Sequence, residues 1–85
     1  MKRESDYFGE AEMDLLFIAR RLRDALALEN ALTAAGVDYF VEPDLYRGGV
    51  IFQSERVGAF FYVLPDAYDF ATGVMRGTGF EPFQP

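Results

Sequence analysis

The chain has 85 residues, with 14 acidic and 8 basic side chains, a net charge of −6, 51% apolar residues, and nine Phe and five Tyr. A chain of this size forms one domain burying about 60% of its unfolded surface, which excludes a deep multi-substrate cleft; the apolar content excludes a disordered chain, and the acid surplus disfavours nucleic acid and anionic membranes. With neither Cys nor His, disulfides, thiolate metal sites and catalysis by thiol or imidazole are excluded.

Residues 1–12 are charged with scattered apolar positions, and we expect a flexible lead-in ahead of a single domain over residues 13–85. The continuous apolar run Leu15 to Ala19, within residues 14–20, has the length and boundaries of a strand buried on both faces. A helix is expected to begin between Leu22 and Asp24, with Leu22, Ala25, Leu28, Leu32 and Ala35 facing a sheet. Gly36 suits the left-handed residue after a helix, and Val37 can pack back on the last turn. A second strand follows over residues 38–42, with Pro43 and Asp44 imposing a break or an edge position before Leu45 and Tyr46.

Arg47-Gly48-Gly49 reads as a turn, residues 50–52 as a short strand, 53–56 as a polar interruption and 57–64 as a longer strand in a hairpin arrangement. Pro65 and Asp66 open a second helix, with Asp66 placed to accept its free amides. Its expected apolar stripe is Ala67, Phe70, Ala71, Val74 and Met75, ending near Arg76 and Gly77, before a weak edge strand within residues 79–83. This order predicts an α+β fold of the ferredoxin-like plait type, βαββα with a weak final edge strand and two helices on one face of an antiparallel sheet. The open face and the aromatic surplus point to self-association, with a homodimer or a protein partner as the expected occupant.

Candidate chemistry is sparse. Arg20, Arg21 and Arg23 stand where the first strand hands over to the first helix, and guanidinium groups beside free helix amides can hold a carboxylate or phosphate. Solvation or pairing with surface carboxylates is the plainer reading of the same residues. The pairs Glu42/Asp44 and Asp66/Asp69 lack the oxygen-ligand spacing of a calcium loop, and no metal or other cofactor is expected. Glu29 borders the first helix's apolar stripe, where partial burial could suit it to proton transfer, but no acid/base partner is evident. Arg47-Gly48-Gly49 lacks the Gly-Lys-Ser/Thr ending of a phosphate loop.

An RNA recognition motif places aromatic residues on its first and third strands, as Phe17 and Phe60 would be here, although an apolar Val57 takes the expected Gly position. A small hydrolase would have to join Arg20 to Glu29 or Asp66. The acylphosphatase arrangement of Arg with an Asn-oriented water fails, since the only Asn is Asn30 in mid-helix.

The run from Phe17-Ile18-Ala19-Arg20 through Ala25, Leu28 and Leu32-Thr33-Ala34-Ala35-Gly36-Val37 to Phe40-Val41, followed by Phe61-Tyr62-Val63-Leu64-Pro65-Asp66 and Ala71, resembles the prokaryotic signal-transducing protein family. These are small bacterial domains of unknown activity, related in fold to the PII regulators. The resemblance covers about residues 15–76. It implies a ferredoxin-like, oligomerising sensor or adaptor with no catalytic residues to carry over. The long nucleotide-contacting loop of the PII regulators has no counterpart here, which argues against ATP and 2-oxoglutarate as ligands. The expectation is therefore a cytoplasmic, non-enzymatic module that self-associates and takes a small anionic ligand near Arg20, Arg21 and Arg23.

Overall fold

The computed structural model describes residues 1–48 and 54–83. Its elements are β1 (Asp14–Ala19), α1 (Leu22–Ala34), β2 (Phe40–Gly48), β3 (Ser54–Val63) and α2 (Tyr68–Gly77), with 3-10 turns at Ser5–Phe8 and Pro65–Ala67. The strands form one antiparallel sheet in the order β1-β3-β2, so β3 is flanked on both sides. With two helices packed on this sheet, the fold class is α+β. The core joins Leu16 and Ala19 of β1 and Phe61 and Val63 of β3 to Ala25, Leu28 and Leu32 of α1 and Ala71 and Met75 of α2. Val37 and Tyr39, on the approach to β2, complete it.

Strand β1 carries a bulge. Leu15 pairs with Tyr62 and Phe17 with Phe61, leaving Leu16 as an extra residue. Side chains alternate along a strand, and one extra residue inverts the alternation beyond it. Leu16 and Phe17 therefore both turn toward the helices, where Leu16 is fully buried and Phe17 packs on Phe80 at 5.2 Å between ring centroids. The opposite face carries Leu15 and Ile18, paired with Tyr62 and Phe60, and Phe40 stacked on Tyr62 at 6.0 Å.

Both helices end in the same way. After α1, Gly36 takes φ +76°, its amide donates to the Thr33 carbonyl at 3.1 Å, and the Val37 amide reaches back to Leu32 at 3.0 Å. After α2, Gly79 takes φ +91°, and the amides of Gly79 and Phe80 reach Arg76 at 3.0 Å and Met75 at 3.2 Å. These are paired six-to-one and five-to-two closures, each followed by an apolar residue that packs on the core. The last helical residue of α2 is thus Gly77, as expected, while the left-handed residue that closes the helix is Gly79.

Several expected boundaries differ from the observed ones. Strand β2 runs through Pro43 and Asp44 to Gly48, with Pro43 opposite Ala59 on an edge strand, the second of the two positions expected for it. Ser54 to Arg56, read as an interruption, belong to β3, while residues 50–52, read as a short strand, lie outside the described residues. Asp66 sits in the 3-10 turn and caps nothing through its side chain. That turn also sets the phase of α2, which buries Ala71, Thr72 and Met75 and leaves Phe70 60% exposed.

Leu22, likewise expected against the sheet, is 75% exposed. The weak edge strand does not form, although the Phe83 amide donates to the Leu16 carbonyl at 2.9 Å on the free side of β1. Among the described residues no helix is long and apolar enough to cross a membrane.

Two substitutions test these assignments. A Cβ at Gly36 would meet no atom within 4 Å, so the cost of Gly36→Ala is conformational alone. We expect a loss of about 1–2 kcal/mol in urea unfolding with an unchanged m-value. Thr72 is buried, and its hydroxyl is the one buried side-chain polar atom without a hydrogen-bond partner among the described residues. Thr72→Val should raise stability by about 1 kcal/mol in the same measurement.

Candidate functional site: a basic groove at the start of α1

The chain passes from β1 to α1 through two residues, Arg20 and Arg21, both exposed. Arg21 is extended, at φ −125° and ψ 142°, and its carbonyl accepts the Asp24 and Ala25 amides, each at 3.1 Å. No side chain caps this helix end. The two arginines separate two clefts. One, of about 420 Å³, is lined by Phe17, Ile18, Phe83, both arginines and the carboxylates Asp24 and Glu81. The other, of about 360 Å³, is lined by Lys2, Arg20 and Arg21 together with Ala19, Leu22, Ala25, Val41, Pro43, Val57, Gly58 and Ala59.

Charge distinguishes the two. In the first cleft two acids offset two bases, whereas the second gathers three cations and, among the described residues, no carboxylate in its lining. Arg23, the third arginine of the expected cluster, lines neither cleft; it is 77% exposed, with Nε 4.0 Å from Asp24 Oδ1. The helical turn rotates it away from the residues that precede it in the link.

Lys2 was not read from the sequence as a site residue. It reaches the groove because the first residues run parallel to the approach of β2. Lys2 bridges to Tyr39, the Arg3 amide donates to the Tyr39 carbonyl at 2.7 Å, and the Tyr39 amide donates to Met1 at 3.1 Å. Side chains reinforce this pairing. Arg3 Nε lies 3.0 Å from Asp38 Oδ1, the Tyr7 hydroxyl donates to Asp38 Oδ2 at 3.3 Å, and the Arg3 guanidinium covers the Tyr7 ring at 4.3 Å. The hydrogen bond from Arg3, aided by its charge and by Tyr7, holds the Asp38 carboxyl below its usual range. Lys2 Nζ also stands 3.4 Å from Glu29 Oε1.

The buried Tyr39 ring is anchored by its hydroxyl, 2.9 Å from Thr33 Oγ1 and donating to the Glu29 carbonyl at 3.1 Å; burial pushes its pKa up. Glu29 and Asp66 line neither cleft that holds Arg20. Glu42 and Asp44 take successive positions on the helix-free face, opposite Phe60 and Gly58. Burial, with the charges of these two acids adding, pushes the Tyr62 pKa up. Among the described residues no three acidic side chains group as metal ligands do. Phe17 and Phe60, the aromatic pair of the RNA reading, lie on opposite faces of the sheet because the bulge at Leu16 turns Phe17 inward. Arg47 and Gly48 end β2, and Gly49 lies outside the described residues.

Comparison with protein-family models, curated proteins and solved structures finds no match.

The Asp38 clamp makes a pH-dependent contribution to stability. A carboxyl whose pKa is lower in the folded state stabilises the fold above its unfolded value, about 3.9, and that contribution fades as pH falls through the folded value. Asp38 is 36% exposed, so the effect is modest. Asp38→Asn should cost under about 1 kcal/mol at pH 7. The difference from wild type should shrink progressively below about pH 4, as read by urea unfolding across that range.

Proposed function

We propose that this chain is a non-enzymatic, cytoplasmic binding module of the sensor or adaptor kind, which holds a small anionic ligand in the groove of Lys2, Arg20 and Arg21 and self-associates through the helix-free face of its sheet. The observation that carries this reading is the segregation of charge: in a chain of net charge −6, three cations line one small groove to which no carboxylate contributes among the described residues. An anion entering there meets charge-assisted donors.

The self-association reading draws support from Leu15, Ile18, Phe40 and Tyr62, which remain half-buried on a face that no helix covers. Glu42 and Asp44 on that face disfavour RNA there. A hydrolase reading has less support, since neither Glu29 nor Asp66 lines a cleft with Arg20.

We further read the fold as a ferredoxin-like plait. The strand order β1-β3-β2 supports this, as does the bond from Phe83 to Leu16, which lies on the free side of β1 where a fourth strand would run. Membership of the prokaryotic signal-transducing family is proposed on the sequence resemblance.

The anion site is tested by thermal unfolding with phosphate- and carboxylate-bearing compounds. A ligand at one hundred times its Kd should stabilise the chain by about 2.7 kcal/mol, and the double variant Arg20→Ala/Arg21→Ala should lose that gain. A panel with no stabilising compound overturns the site. Sedimentation equilibrium tests the assembly. A mass of two or more chains is expected, falling to one chain in Phe40→Glu, and a wild-type protein that stays at one-chain mass at high concentration overturns self-association.

A further inference from the structure

The groove has a second property beyond its charge. Apart from its three cations, its lining among the described residues is apolar, drawn from the end of β1, the first turn of α1 and the facing positions of β2 and β3. Two of these apolar groups are conspicuously exposed, Leu22 at 75% and Val57 at 68%. Leu45, paired with Val57, is 54% exposed. Contiguous apolar surface left open beside a cluster of like charge suits a ligand with both characters.

We infer that the groove takes an amphipathic carboxylate, an acid with one aliphatic or aromatic tail, its head between Lys2, Arg20 and Arg21 and its tail against Leu22, Val41 and Val57. This rests on the anion-site reading above and narrows it.

The size of the groove selects the occupant. About 360 Å³ is at the small end of ligand pockets and matches one short chain or ring. The neighbouring cleft is a poor alternative because Asp24 and Glu81 would repel the head group. A highly charged metabolite would satisfy the cations but gain nothing from the apolar surface of Leu22, Val41 and Val57. The Lys2–Glu29 contact does not close the site, since an ammonium has three donors and Glu29 is not among the lining residues.

The experiment is a titration of the full chain, followed by amide chemical shifts, with four probes: sodium octanoate, sodium acetate, inorganic phosphate and octanol. We expect saturable shifts at Ala19, Leu22, Val57 and Gly58 with octanoate, at an affinity at least tenfold above that of each other probe. Arg20→Ala/Arg21→Ala and Val57→Asp should each weaken octanoate at least tenfold. Val57 is an exposed position, so its variant should fold, and an unchanged amide spectrum away from the groove checks this. If acetate or phosphate binds as tightly as octanoate, the amphipathic class is overturned while the anion site stands. Octanol equal to octanoate overturns both the head-group assignment and the anion site, as does a titration in which no probe binds.

Discussion

The bulge at Leu16 decides what each face of the sheet presents. Without the extra residue, Phe17 would share a face with Leu15, and Ala19 would point away from the helices. With it, Leu16, Phe17 and Ala19 all turn inward, Phe17 meets Phe80 after α2, and Ile18 moves outward opposite Phe60. The inward position of Ala19 matters for the groove. A small side chain there, with Ala25 and Ala59, lowers the floor beneath Arg20 and Arg21 instead of filling it. One insertion in the ladder therefore shapes the core, the open face and the groove together.

The placement of the cations follows from backbone pairing as much as from charge. Arg3 is committed to Asp38, Arg23 lies beside Asp24, and Arg76 stands 3.5 Å from Glu81. Lys2 stands 3.4 Å from Glu29 and is brought to the groove by main-chain bonds between the first residues and Tyr39. A long, flexible side chain placed by its backbone loses less freedom on meeting a ligand than one that must first be drawn in from solvent. The Tyr39 ring sits at the same crossing, holding its strand to α1 through Thr33 and the Glu29 carbonyl.

How much of this was legible in the sequence depended on how local each determinant is. Gly36 marks the end of α1 because its conformation and the burial of Val37 are settled within one helical turn. The end of α2 near Gly77 was legible as well, but its left-handed closing residue was not, since Gly77 and Gly79 are equally able locally and the choice falls to Phe80, which finds Phe17 from another element. Pro43 left a break and an edge position both open, because nothing nearby in sequence decides between them; the strand order makes it an edge. Leu22 and Phe70 have correct helical spacing yet lie just beyond the surface the sheet can cover. At the site, Arg20 and Arg21 could be read from their position between a strand and a helix. Lys2 could not, because it joins them only through pairing with Tyr39, far along the chain.

The strand order also has a consequence in time. Among the described residues, β1 and β2 each pair along their length with β3 alone. Asp14 finds its partner at Val63, so the β1 ladder closes a long stretch of chain that contains all of α1 and β2. During synthesis from the N-terminus, two apolar strands must emerge and wait for a third before any sheet exists, while α1 can form from contacts within itself. Completion of β3 thus turns an exposed, association-prone chain into a folded one, and its hydrophobic run Phe60 to Val63 is both the centre of the finished sheet and the event that begins it.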